Sequence, residues 1–82
     1  MAPRANELDE IRWRLRVSNL EARVELREIE AAALTREITS PLTSAARQAE
    51  AMQRRQTLLT EASELKAELD QMHRSVPVWT RH

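Results

Sequence analysis

The stretch Thr39-Ser40-Pro41-Leu42-Thr43-Ser44 is the strongest interruption in a sequence that otherwise favours helix. Proline cannot continue the interior of a helix, and serine and threonine favour turns and helix caps. A kink in a single helix needs only the proline and not the polar cluster around it. The stretch therefore predicts a turn between two helices that form an antiparallel hairpin, with a single rod bent at Pro41 as the alternative.

The segments on both sides of this turn predict long helices. Apart from Pro41 they contain neither glycine nor proline, and they are rich in Glu, Arg, Leu and Ala, which are good helix formers. We expect Asn6 to cap the first helix, and Ser40 with Pro41 to open the second. The predicted segments are an N-terminal arm at 1–5, helix 1 at 6–39, a turn at 40–44, helix 2 at 41–75 and an extended C-terminal tail at 76–82.

The first helix carries apolar residues on two nearly opposite faces. The run Ile11-Arg12-Trp13-Arg14-Leu15-Arg16-Val17 alternates like a strand, but no turn residues flank it. In a helix Ile11 and Trp13 lie about 200° apart, so the alternation becomes two faces. The first face, the Leu8 stripe, consists of Leu8, Ile11, Leu15, Ala22, Leu26, Ile29 and Ala33. The second face, the Trp13 stripe, consists of Trp13, Val17, Leu20, Val24, Ala31, Leu34 and Ile38.

A helix with two apolar faces needs two partners, unless both stripes belong to one wide core face. Helix 2 can cover one face through a coiled-coil seam formed by Leu58, Ala62, Leu65, Leu69, Met72 and Val76. In its first half, Arg55 and Gln56 interrupt the apolar register. We expect the Trp13 stripe to be the face that meets another chain, with Trp13, Val17, Leu20, Val24, Leu34 and Ile38 as interface residues.

Composition argues against an enzyme. The chain has 82 residues with no Cys and no Gly, which excludes disulfides, thiolate metal sites and glycine-rich phosphate loops. His73 and His82 have no partner at metal-ligand spacing, and no serine has a histidine and carboxylate arranged for nucleophilic catalysis. We therefore predict no catalytic residue, no cofactor and no metal.

Charge gives weak support for nucleic-acid binding. Thirteen basic and thirteen acidic residues give a formal net charge of +0. Arg12, Arg14 and Arg16 are the best candidates for phosphate contact. Glutamates interleave with the arginines along the same helix, which favours a solvated face or ion pairs between helices. Nucleic-acid contact is therefore the less favoured prediction.

The C-terminal tail predicts a docking segment. It carries Val76, Val78 and Trp79, and aromatic anchors are typical of interface hot spots. The alternative is that Trp79 packs back on the chain's own helices. We find no apolar run of signal-peptide or membrane-spanning type, so we expect the protein in the cytoplasm or in a virion.

These features favour a non-enzymatic structural or assembly protein that forms an oligomer. Chains this small usually gain stability from disulfides, metals or association, and only association remains here. The most concrete expectation is a small bacteriophage virion component, such as a head, neck or tail accessory protein. The alternatives are a helical adaptor, inhibitor or chaperone that binds one protein partner, and an Arg-rich nucleic-acid-associated factor.

Overall fold

A computed structural model of the chain describes residues 5–75. Two helices, α1 (Ala5–Thr39) and α2 (Ala45–Arg74), pack against each other along their length as an antiparallel hairpin. The molecule is elongated, measuring 61 × 25 × 17 Å. The prediction of an all-helical hairpin, rather than one bent rod, is confirmed.

The link between the helices spans residues 40–44, the same residues as the predicted turn, but α2 begins at Ala45 and not at Pro41. Ser44 is the N-cap: its backbone is extended, with φ −63° and ψ 156°, and its Oγ accepts a hydrogen bond from the backbone N–H of Arg47 at 3.2 Å. The prediction that Ser40 and Pro41 open α2 is therefore wrong. Paired helix axes lie about 8–10 Å apart, and a single residue cannot cross that gap while the chain reverses direction.

Ser40 serves the turn instead. Its Oγ accepts a hydrogen bond from the backbone N–H of Leu42 at 3.3 Å, and its carbonyl accepts one from the N–H of Thr43 at 3.3 Å. Pro41 therefore stands inside a compact turn, where its fixed φ and missing N–H do no harm. At the other end, α1 begins at Ala5, so Asn6 lies inside the helix and not at the predicted cap.

The two helices meet along a seam with strict heptad spacing, in which intervals of three and four residues alternate as in a coiled coil. The seam positions of α1 are Trp13, Val17, Leu20, Val24, Arg27, Ala31, Leu34 and Ile38. Those of α2 are Gln48, Ala51, Arg55, Leu58, Ala62, Leu65, Leu69 and Met72. The buried core consists of Val17, Leu20, Val24, Ala31, Ala51, Leu58 and Ala62.

The roles of the two α1 stripes are the reverse of our prediction. Val17, Leu20 and Val24 are buried against the chain's own α2, and Trp13, Leu34 and Ile38 are half-buried there. These six residues therefore form the interior of the hairpin and not a face left for another chain. The reason lies in the spacing: the Trp13 stripe keeps the alternation of three and four that matches α2, whereas the Leu8 stripe has Ser18 and Glu25 at the corresponding positions.

Polar residues in the seam are paired across it. The Nε of Arg27 donates to Glu61 at 3.2 Å, and Arg55 donates to the hydroxyl oxygen of Thr35 at 3.3 Å. Arg55 interrupts the apolar register, as the sequence indicated, but it continues the seam through a polar contact. A shift of one helix along the other would leave these half-buried cations without partners, so the pairs favour this register.

Ion pairs at the edges of the seam match the antiparallel orientation. Along one edge, α1 offers Arg16 near its beginning and Glu37 near its end, and these meet Glu68 at 2.8 Å and Arg47 at 2.6 Å. Because both helices run from basic to acidic along this edge, only an antiparallel pair brings opposite charges together. Each pair is largely exposed, so its net effect on stability is small.

The ion pair between Arg47 and Glu37 lies beside the turn, and its arginine keeps its charge over the physiological pH range. The hydrogen bond and charge of Glu37, with a smaller effect of Glu50, raise the pKa of Arg47 above its ordinary value. A raised folded-state pKa stabilises the fold at every pH below the ordinary arginine value, and that contribution disappears only as the pH rises through the raised pKa. Arg47 is therefore fully charged throughout the physiological range.

Candidate functional site

The Leu8 stripe is a mainly apolar surface on the outer side of α1. Its seven residues from Leu8 to Ala33 point away from α2, and Ser18 and Asn19 are the polar residues that lie among them. Its five large side chains are exposed to 40% for Leu8, 51% for Ile11, 65% for Leu15, 53% for Leu26 and 57% for Ile29. Isolated exposed leucines are ordinary, but an aligned row over the length of a helix is typical of an interaction surface.

The outer side of α2 has the opposite character. It is polar or small along its length, as expected for a helix that faces water. Its exposed residues include Ala49, Gln53, Gln56, Thr57, Thr60, Ser63, Glu64, Ala67 and Gln71. The hairpin is therefore asymmetric: α2 has one apolar face and α1 has two, so α1 is suited to lie between α2 and another partner.

Covering the Leu8 stripe would release a substantial free energy. Complete burial of a leucine or isoleucine side chain contributes about 1.5–3 kcal/mol. Each of the five large side chains is already partly covered by its neighbours, so roughly 1 kcal/mol per side chain remains, or on the order of 5 kcal/mol for the stripe. A second chain that presents a similar face would double this contribution.

An open groove of about 480 Å³ adjoins the stripe on one side. Val24, Ile29, Ala32 and Leu69 form its apolar part. The rim is charged and consists of Glu21, Glu25, Glu28 and Lys66, of which the last two form an ion pair at 3.3 Å. Ile29 belongs both to the groove and to the stripe, so the two surfaces are continuous.

The opposite edge of the stripe carries Arg12 and Glu30. Helical geometry places both at the same angle around α1, five turns apart at about 3.6 residues per turn. Both are exposed, and neither forms an ion pair with another residue in the part of the chain that the structure describes. Their charges are thus available to a molecule that covers the stripe.

The three arginines predicted to contact nucleic acid do not share one face. Arg14 pairs with Glu10 of its own helix at 2.6 Å, and Arg16 pairs with Glu68 of α2 at 2.8 Å. In a helix Arg12 and Arg14 lie about 200° apart. The arrangement provides no common surface for a phosphate backbone, and nucleic-acid contact stays a prediction.

Trp13 lies at the open end of the hairpin and contacts α2. Its ring centroid lies 6.2 Å from that of His73, with the ring planes tilted by 48°. Trp13 is half-buried and His73 is exposed, and their contact lies at the end of the seam. The predicted docking residues Val76, Val78 and Trp79 lie outside the described residues.

Residues 5–75 contain neither of two functional features, a metal-binding cluster and a membrane-spanning helix. Among residues 5–75, no group of three His, Cys, Asp or Glu side chains could hold a metal ion. Neither α1 nor α2 has a window apolar enough for its length to cross a bilayer.

Sequence reasoning identified the two stripes of α1 but selected the wrong one as the outer face. The missed residues are Ile11, Leu15, Leu26 and Ile29, together with Leu8. The signal that separates the stripes is the unbroken heptad spacing of the Trp13 stripe, which extends through Arg27 and has an equivalent in α2. In comparisons with known proteins, no family model, curated protein or solved structure matches the chain.

Proposed function

We propose that this protein is a non-enzymatic assembly protein that docks through the Leu8 stripe. The observation that carries the proposal is the exposure of five large aliphatic side chains on α1, whose opposite face is already buried against α2. Apolar residues on two faces are typical of a helix that packs against a partner on each side.

The hairpin is suited to present this surface rigidly. The seam fixes α1 against α2, and the polar outer side of α2 keeps the other surface of the molecule in water. Because the stripe lies on a packed helix, docking requires little ordering of backbone, which lowers the entropic cost of association.

In its most specific form, the proposal is a small virion component of a bacteriophage, such as a head, neck or tail accessory protein. The support is that a small hairpin, whose described residues form no metal-binding cluster, has a second apolar face that a neighbouring chain could cover. Such a subunit would be used in the cytoplasm during assembly or in the virion afterwards.

The groove beside Ile29 favours a second candidate function, that of an adaptor, inhibitor or chaperone for one protein partner. The groove is apolar at its base and carries three glutamates at its rim, Glu21, Glu25 and Glu28. A basic amphipathic segment of another protein would fit this combination. In this alternative the hairpin would act as a monomer that covers a segment of its partner.

Substitution of the stripe tests the proposed function. The double variant Leu15→Glu/Ile29→Glu places charge on the most exposed positions, so it should abolish association, measured as apparent mass by light scattering. The matched control, Gln53→Glu/Thr60→Glu, adds the same charge to the outer side of α2 and should associate like the wild type. Circular dichroism should show the same helical content for all three proteins.

The proposal is overturned if the wild type associates with nothing through this face. In that case the wild type would be monomeric at all concentrations. It would also retain the same partners in a pull-down as the Leu15→Glu/Ile29→Glu variant. Loss of association in the control variant as well would instead place the interface on α2.

A further inference from the structure

We infer that the Leu8 stripe is covered by the Leu8 stripe of a second copy, with the two α1 helices antiparallel and related by a two-fold axis at Ala22. The inference rests on the proposed function, since it requires that the stripe be a docking face. It adds the identity of the partner, the orientation and the register.

Side-chain sizes along the stripe are complementary to their own reverse. When a second α1 is reversed about Ala22, Leu15 lies opposite Ile29 of the second copy, and Ile11 lies opposite Ala33 of the second copy. Ser18 lies opposite Leu26 of the second copy, and the two Ala22 residues meet at the axis. Leu15 and Ile29 thus pair two large side chains, whereas Ile11 and Leu26 each face a small residue, and alanines at the centre allow the helices to approach closely.

Charge along the edge of the stripe is also self-complementary. Reversal about Ala22 brings Arg12 of one copy next to Glu30 of the second copy, within one helical turn, and the two-fold axis repeats the pair. Both residues are exposed and without an ion pair in the described part of their own chain. In a parallel arrangement Arg12 and Glu30 of the two copies would lie about 27 Å apart along the helices at 1.5 Å per residue, so neither pair could form.

The asymmetry of the hairpin limits the assembly to two copies. Pairing through α1 produces four helices in the order α2, α1, α1, α2, with both apolar faces of each α1 covered. The surfaces then left are the polar outer sides of α2 and, at its edge, the exposed side chains of Met52 and Leu59, which do not form a further stripe. Such an isologous interface forms a closed dimer and not a growing filament.

Cysteine cross-linking tests the register directly, because the chain contains no Cys of its own. A disulfide requires Cα atoms within about 7 Å, so it reports only residues that meet. We expect Ala22→Cys to form a covalent dimer under mild oxidation. Leu15→Cys and Ile29→Cys should each fail to cross-link alone and should cross-link with each other when the two proteins are mixed.

Each other cross-linking result contradicts the inference. A parallel dimer would give covalent dimers for Leu15→Cys alone and Ile29→Cys alone. A different register would leave Ala22→Cys monomeric under oxidation. A substitution that unfolds the helix is recognised by circular dichroism of the reduced protein, and Ala22→Cys is conservative enough to retain the fold.

A charge exchange tests the orientation without cysteines. Arg12→Glu and Glu30→Arg should each weaken the dimer roughly tenfold, because each places like charges at two exposed sites. The double variant Arg12→Glu/Glu30→Arg restores both pairs and should dimerise like the wild type. At 1 M salt the differences should vanish, since the Debye length falls to about 3 Å. Additive weakening in the double variant would refute the antiparallel pairing.

The measurements separate this inference from the proposed function. A wild-type chain that stays monomeric at high micromolar concentration, yet binds a different protein that its Leu15→Glu/Ile29→Glu variant does not bind, would refute the homodimer and support docking through the stripe. A monomer without any stripe-dependent partner would refute both.

Discussion

Two adjacent leucines of α2 lie in opposite environments. Their exposed fractions show, residue by residue, which side of α2 packs against α1. Leu58 is 5% exposed and Leu59 is 43% exposed. Both have the same neighbours in sequence and the same helix propensity, so only their packing differs. One helical position thus separates a core residue from a residue at the edge of the hairpin.

Truncation of these leucines should have very different effects. Leu58→Ala should lower the free energy of unfolding by about 2–4 kcal/mol, because it leaves a cavity in the seam. Leu59→Ala should lower it by less than about 1 kcal/mol, because less apolar surface is lost. Urea denaturation followed by circular dichroism gives both values, and equal effects would show that α2 does not pack in this register.

Arg27 makes it harder to predict from the sequence which apolar stripe of α1 forms the core. Taken alone, an arginine in an apolar stripe weakens the case that the stripe is a core. Its half-buried position is acceptable because Glu61 of α2 accepts its hydrogen bond at 3.2 Å. The periodicity of α1 cannot reveal that pairing, because the pairing depends on which residue of α2 lies opposite Arg27.

At the scale of the helices, the start of α2 depends on a choice between two serines. Both Ser40 and Ser44 have the side chain of a good N-cap, and the proline after Ser40 made it the stronger candidate in the sequence. The structure selects Ser44 because an antiparallel turn needs the intervening residues to cross between the helices. Helix propensity is a local property, whereas the length of a turn is fixed by the distance between packed helices.

The two serines can be distinguished by alanine substitution. Ser44→Ala should lower the free energy of unfolding by about 1 kcal/mol, the usual effect of removing an N-cap hydrogen bond. Ser40→Ala removes only a hydrogen bond within an exposed turn, so its effect should be smaller, at about 0.5 kcal/mol. Thermal or urea unfolding measures both, and a larger effect for Ser40→Ala would place the helix start at Pro41.

Much of the fold could be predicted at this scale. Helix formers on both sides of the turn predict α1 and α2, and the angle between Ile11 and Trp13 predicts two apolar faces. The choice of inner face could not be made from α1 alone. It depends on the match between the spacing of α1 and that of α2 over the whole seam, including the polar positions Arg27 and Arg55.

At the scale of the whole molecule, stability and association are linked. A dimer interface that is absent in the unfolded chain makes thermal stability depend on concentration. The Leu8 stripe is therefore expected to contribute to the stability of the fold as well as to docking. An 82-residue chain with a narrow core gains particularly from such an interface.

Thermal unfolding should reveal this link. A tenfold increase in concentration should raise the Tm of the wild type by about 3–6 °C, from roughly 0.7 kcal/mol per chain of added stability. The Leu15→Glu/Ile29→Glu variant should melt at the same temperature at every concentration. Wild-type melting curves that coincide over a hundredfold range of concentration would contradict dimerisation in solution.

The link from Ser40 to Ser44 has a further consequence for how the chain is connected. Apart from the hydrogen bond that Gln48 donates to the carbonyl of Ser40 at 3.3 Å, the seam contacts join α1 to α2 without involving the link. The same contacts could therefore form between two chains if the link became helical. The product would be a domain-swapped dimer of continuous rods, each roughly 105 Å long at 1.5 Å per residue. The short link holds α2 near α1 at an effective concentration roughly in the millimolar range, which favours closure of the seam within one chain. Pro41 and the Ser44 cap are thus the residues that decide whether the seam closes within one chain or between two.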